Sequence, residues 1–97
     1  MPTFSLTKKA IADLKDIGRY TLGHWGREQR NLYLEMLDMS FQQLAAYPRT
    51  GKDCSDIRSG YRKFSAGSHV IFYRQKSKDS IEIVRILHGR MDCETWL

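Results

Sequence analysis

Ninety-seven residues with a formal net charge of +5 make one small basic domain, residues 1–97, too short for a second core or a deep enclosed pocket. Ordinary apolar and charged fractions with only 2 prolines and 7 glycines argue against disorder. No apolar run approaches the ~18 residues of a membrane span.

The opening Met1-Pro2-Thr3-Phe4 lacks a basic segment followed by an apolar one, so no secretory signal is expected and the cytoplasm is the expected compartment. Phe4-Ser5-Leu6 suggests a short strand, and Thr7 then suits an N-cap. A helix is predicted from Lys8 to about His24, with an apolar stripe Ile11, Leu14, Gly18, Leu22 and Trp25 at spacings of three or four. Gly18 in that stripe suggests close approach of a second helix. Lys9 with Asp13, and Asp16 with Arg19, are helical neighbours on the outer side. A break over Gly23–Gly26 leads to a second helix from Arg27 to Ala46. Its ridges are Leu34, Leu37, Phe41, Leu44 and, beside them, Leu32, Met36, Met39. Pro48 and Gly51 stop it, and the two helices make an αα-hairpin.

Beyond the loop from Arg49 to Asp56 the period changes to two. Tyr61–Ala66 and His69–Gln75 flank Gly67 as a β-hairpin. After a turn over Lys76–Ser80 the strand Ile81–His88 is apolar on both faces, Ile81, Ile83 and Leu87 on one and Val84 and Ile86 on the other. The expected fold class is α+β: a short N-terminal strand, an αα-hairpin, then a three-stranded antiparallel sheet with the first strand at its edge. One helical layer covers one face of such a sheet. Either the second face of the last strand is a docking surface, or the tail Gly89–Leu97 shields it.

Between Ile57 and Lys78 the chain carries Arg58, Arg62, Lys63, Arg74, Lys76 and Lys78 with no acidic residue. Such a run either attracts a polyanion or is a solvated face. Cys54 and Cys93 fit neither a disulfide framework nor a zinc spacing, and Asp92 and Glu94 disfavour a thiolate at Cys93. His24, His69 and His88 are the only side chains of the type whose unperturbed charge change falls near neutrality. His88 and Asp92 lack a third ligand by spacing, no glycine-rich phosphate loop is present, and nothing specifies a triad. No cofactor and no metal are expected. The terminal Trp96-Leu97 either folds back on its own sheet or inserts into a partner, where an enclosed Trp contributes at most about 4–6 kcal/mol.

Three segments carry a resemblance: Tyr61-Arg62 entering the second strand, Val70-Ile71-Phe72-Tyr73-Arg74 in the third, and Val84-Arg85-Ile86-Leu87-His88-Gly89-Arg90-Met91-Asp92 closing the fourth. With the order of elements, they make the chain resemble the ParE toxins of the ParE/RelE superfamily of type II toxin–antitoxin modules. The superfamily implies one of two activities. RelE-like members cleave messenger RNA on the ribosome with basic strand residues and a proton-transfer group near the C-terminus. ParE-like members inhibit DNA gyrase by contact. Here His69 stands where RelE-like proteins often place an arginine, and Trp96 stands where the proton-transfer group belongs. Indole exchanges no proton near neutral pH, so the resemblance points to ParE and away from an enzyme.

The implied partners are DNA gyrase and a cognate ParD-like antitoxin, in a hetero-oligomer, with no membrane and no sequence-specific nucleic acid. The implied gyrase-inhibition residues are His88, Arg90, Met91, Asp92 and Trp96, with Asp92 alternatively pinning the tail. The implied antitoxin-binding residues are Tyr61, Arg62, Phe64, Ile83, Arg85 and Leu87. Two other readings stand beside this one. A metal-independent ribonuclease would hold phosphate with Arg62, Lys63 and Arg90 and use His69 or His88 as base. A plain nucleic-acid binder would use the Arg58–Lys78 charge, although the strands lack a stacking array of aromatics.

Overall fold

The structure, a computed structural model, describes residues 2–91, the backbone of 93, and 94–97. In chain order the elements are β1 (Thr3–Leu6), α1 (Lys8–Trp25), α2 (Arg27–Ala46), β2 (Lys52–Asp53), β3 (Tyr61–Ala66), β4 (His69–Ser77), β5 (Ser80–His88) and α3 (Cys93–Trp96). The sheet has five strands in the order β1-β5-β4-β3-β2. β1 lies at one edge, parallel to β5, and the remaining pairs are antiparallel. The α+β class holds. The sheet gains the two-residue strand β2, which gives no period to read and exists by pairing Lys52 with Lys63 and Asp53 with Arg62.

Local chemistry sets the joints. Thr7 Oγ1 accepts the Ala10 N–H at 3.0 Å and donates to the Val84 carbonyl at 2.7 Å, so one side chain starts α1 and pins it to β5. Such caps contribute about 1 kcal/mol. Gly26 alone separates the helices, at φ 90, so the break is shorter than the expected Gly23–Gly26. Gly67 turns β3 into β4 at φ 59 against Tyr33, where a Cβ would lie 2.8 Å from the phenol oxygen. Only glycine fits both conditions.

The hairpin packs on one face of the sheet, closing a core that includes Ala10, Ile17, Leu37, Phe41, Leu44, Tyr73, Ile81 and Ile83. The ridge Leu37, Phe41, Leu44 is buried as expected, with Leu34 packed against it. The second expected ridge is not one: Leu32 and Met39 are exposed. In α1 the buried residues are Ala10, Ile17, Gly18 and Thr21, while Ile11, Leu22 and Trp25 face solvent. Of the expected stripe only Leu14 and Gly18 face inward, and Ala10, Ile17 and Thr21 complete the buried face.

β5 corrects the sequence reading most. Tyr73 pairs with Ile83 but Phe72 pairs with Arg85, leaving Val84 as an extra residue in a β-bulge. Side chains before the bulge (Ile81, Ile83) and Ile86 after it therefore all join the hairpin-side core. Leu87 moves to the opposite face. There Cys54, Phe72 and Leu87 form a second cluster, covered by Ile57, Tyr61, Val70, Met91 and Leu97. The second face is sealed by the loop after β2 and by the chain's own tail, so of the two expectations for that face the shielding one holds. Among the described residues no helix is long and apolar enough to cross a membrane.

Candidate functional site

Two concavities flank the αα-hairpin. The first, about 730 Å³, runs between α1 and α2 over β1. Phe4, Leu6, Leu14, Leu34 and Phe41 form its apolar floor, and Lys15, Arg19 and Arg30 stand at its rim with Asp38. An apolar groove with a cationic rim thus lies between the helices and not on the second face of the sheet.

The second is a cleft of about 810 Å³ under the hairpin tip, at the far end of β4 and β5. Tyr20, Trp25 and Tyr33 wall it, with Asp13, Asp16, Ser68, His69, His88 and Met91. His69 and His88 are cross-strand partners, and their rings meet edge to face with centroids 5.4 Å apart. Among the described residues no Lys or Arg lines it.

The hydrogen bonds tie these imidazoles into the fold. Tyr33 Oη accepts the Ser68 N–H at 3.0 Å and shares a hydrogen bond with His69 Nδ1. The Arg90 N–H donates to His88 Nδ1 at 3.2 Å, so that nitrogen is an acceptor and a neutral His88 ring carries its proton on Nε2. Burial pushes the His69 pKa below its ordinary value; the neighbouring His88 adds to this and Asp13 opposes it.

At the sheet edge beside this cleft β1 stops pairing at Ile83, and α1 takes over. Asp13 Oδ2 accepts the Ile86 N–H at 3.0 Å. The same carboxylate holds Arg85 through Nε at 2.8 Å and Nη2 at 2.9 Å, and this hydrogen-bonded partner keeps the guanidinium pKa above its usual range. The third arm, Nη1, donates to the Trp96 carbonyl at 2.7 Å. Asp13 is thus not the helical partner of Lys9 that spacing suggested. Asp16 does pair with Arg19, at 3.6 Å.

A family model described as ParE toxin of type II toxin-antitoxin system, parDE, matches residues 4–93. This chain belongs to the ParE toxin family. The Toxin ParE1 of Mycobacterium tuberculosis (strain ATCC 25618 / H37Rv) is 44% identical over 91 residues, covering 94% of this chain and 93% of that one. The Toxin ParE1 of Caulobacter vibrioides is 37% identical over 97 residues, covering 100% and 99%. The Toxin ParE of Escherichia coli is 35% identical over 97 residues, covering 100% and 94%. A solved chain described as from the chromosomal ParDE TA system of P. aeruginosa shares the fold at TM-score 0.76 and 22% identity, covering 91% and 96%.

In this ParE-family chain the residues assigned by resemblance fall into distinct settings. His88 and Arg90 are exposed and Met91 half-buried around the turn that ends β5. Trp96 is 48% exposed, while its neighbour Leu97 packs into the second cluster. Asp92 lies outside the described residues. Of the antitoxin set, Ile83 is 0% and Leu87 2% exposed, so neither presents a surface. Both are core residues, the first on the hairpin side and the second under the tail. Arg85 is taken by Asp13 and Trp96, Phe64 packs on the main core, Tyr61 covers the second cluster, and Arg62 donates to the Gly51 carbonyl at 2.8 Å. Of the ribonuclease set, His69, His88 and Arg90 gather at one end of β4 and β5, but Ala66 pairs with His69, which puts Arg62 four residues and on the order of 13 Å down the sheet.

The basic run is also divided. Arg74 pairs with Glu82 at 2.9 Å, and Lys76 and Lys78 belong to the β4–β5 turn region. Among the described residues no group of three His, Cys, Asp or Glu could hold a metal ion. Sequence reasoning missed the His69–His88–Tyr33 cleft. The hairpin register was its signal: a two-residue turn at Lys78-Asp79, between the paired Ser77 and Ser80, lines up His69 with His88.

Proposed function

We propose that this ParE toxin acts by binding DNA gyrase through its C-terminal segment, without catalysis, and is neutralised by a ParD-like antitoxin. The observation that carries the reading is the half-exposed Trp96, held by its carbonyl to Arg85 and flanked in sequence by the Leu97 that anchors it. A large aromatic displayed on a fixed backbone has the character of an interface hot spot. The exposed Arg90 and His88 on the adjoining turn supply polar contacts around it.

The non-catalytic part rests on the cleft. Among the described residues its lining holds Asp13 and Asp16 and no Lys or Arg to neutralise a phosphate. For the antitoxin, the groove between α1 and α2 replaces the sheet surface. Its apolar floor and its rim of Lys15, Arg19 and Arg30 complement an acidic, amphipathic segment that orders on binding.

The test is supercoiling by purified gyrase in the presence of the toxin. Trp96→Ala, which keeps Leu97 on the second cluster, is expected to raise the inhibitory concentration by about tenfold or more, with antitoxin affinity unchanged. Removing residues 92–97 is expected to abolish inhibition. A truncated toxin that still folds and still blocks supercoiling overturns the assignment, and codon-positioned cuts in translating messages would replace it with the ribonuclease reading.

A further inference from the structure

Arg85, on β5, joins α1 to the C-terminal helix. Its geometry leaves little freedom. The guanidinium is planar, and a bidentate carboxylate engages it as a fork. With Nε and Nη2 fixed on Asp13, the direction of Nη1 is fixed as well, and Nη1 is the arm that meets the Trp96 carbonyl at 2.7 Å. Asp13 is itself immobilised, because its Oδ2 also accepts the Ile86 N–H. Both side chains of the pair are 12–13% exposed, so water competes weakly for either.

We infer that Asp13 is a positioning residue for the C-terminal segment: through Arg85 it fixes the place at which the Trp96 indole is displayed. Leu97 supplies the second fixed point by packing on Phe72 and Leu87. With its carbonyl held on one side and its neighbour buried on the other, Trp96 has its backbone set while its ring remains half in solvent. Nothing about Asp13 in the sequence suggests this, since it lies 72 positions from Arg85. The consequence for activity rests on the C-terminal segment being the gyrase contact, but the positioning itself is measurable without gyrase.

The probe is Trp96, one of two tryptophans, made the sole indole by Trp25→Phe. In that background Asp13→Asn and Arg85→Lys are expected to increase acrylamide quenching of Trp96. They are also expected to accelerate amide exchange over 93–97 by on the order of tenfold, the scale of a lost charge-assisted hydrogen bond. Arg85→Lys keeps a cation for Asp13 but has no second arm for the carbonyl, so the tail loosens while the melting temperature stays near that of the parent. Asp13→Glu restores protection.

Exchanging the pair, Asp13→Arg with Arg85→Asp, separates positioning from plain stabilisation. The charges are matched again, yet a carboxylate at position 85 has no proton for the Trp96 carbonyl. Recovered stability with a loose tail supports the inference; recovery of both overturns it. If the exchanged protein does not fold, Arg85→Lys decides: parental quenching and exchange in that variant overturn the inference. Gyrase assays on the same proteins keep the two claims apart. A loose tail with full inhibition supports the positioning and sinks the role of Trp96 at the target.

Discussion

The two concavities on either side of the hairpin share α1 as a wall yet differ in nearly every physical respect. The groove between the helices has an aliphatic floor continuous with the main core and a cationic rim. The cleft under the hairpin tip has aromatic walls, two carboxylates and a pair of imidazoles, and its outer wall, Trp25, is 71% exposed. The first is built from residues that also hold the protein together. The second is lined partly by side chains the fold can lose. A partner entering the groove meets a preformed surface, whereas the cleft is a place where substitutions report on binding with little cost in stability.

The contrast can be broken most severely at Phe41, which is 2% exposed and serves both the core and the groove floor. Phe41→Ala is expected to cost about 3–5 kcal/mol in chemical denaturation and to abolish antitoxin binding with it. Reversing the rim by Lys15→Glu, Arg19→Glu and Arg30→Glu together is expected to weaken antitoxin binding on the order of a hundredfold. The melting temperature should barely move, because the Arg19–Asp16 pair is exposed and surface pairs contribute little. Titration calorimetry with the cognate antitoxin checks it, and unchanged affinity would remove the groove from the proposal.

At Gly18 the groove floor can be filled. A Cβ there would meet Leu34 Cδ1 at 3.5 Å, an ordinary contact, so the close helix approach expected of this glycine is not strict. Gly18→Ala is expected to stabilise the protein by about 0.5–1 kcal/mol, read as a higher melting temperature.

The cleft predicts a pH effect. His69 titrates lower in the fold than in the unfolded chain, chiefly by burial, with His88 reinforcing the shift and Asp13 opposing it. Asp16, Tyr20 and Tyr33 are the remaining titratable groups of that lining. The unfolded chain therefore takes up more protons as pH falls below the ordinary value of 6.5, and stability declines until the folded pKa is passed. Urea unfolding at about pH 7.5 and about pH 5 should show the decline, and His69→Gln should make it shallower. The smallest effect belongs to Trp25→Ala, expected to change stability by no more than about 0.5 kcal/mol and antitoxin affinity not at all. A large destabilisation would mean the cleft wall is structural after all.

Much of this fold was legible because its boundaries are written in local chemistry. Thr7, Gly26 and Pro48 delimit the two helices, and Gly67 marks the hairpin turn. Helix phase was harder. Ile11, Leu22 and Trp25 are conspicuous apolar residues of α1, but the contact with its neighbours is made by Ile17 and Leu14 together with Ala10, Gly18 and Thr21, three of which hydropathy ranks low and close packing favours. Less can be read of the candidate site. The family resemblance names His88, Arg90 and Trp96, which the fold exposes, and also Ile83 and Leu87, which it buries, because the extra residue Val84 breaks the alternation a sequence reading assumes. Asp13 left no local trace, since its partners are set by tertiary structure alone.

That surplus residue in β5 acts as a phase shifter. It puts the two halves of one strand half a period out of step, so Ile83 and Ile86 look the same way while Leu87 faces the tail and His88 meets His69. Shortening the strand by one position there would rotate everything downstream to the wrong side at a single stroke. The spacing between Ile83 and Ile86 is therefore under tighter constraint than the identity of the residue that fills it, and length changes in this toxin should be least tolerated at Val84.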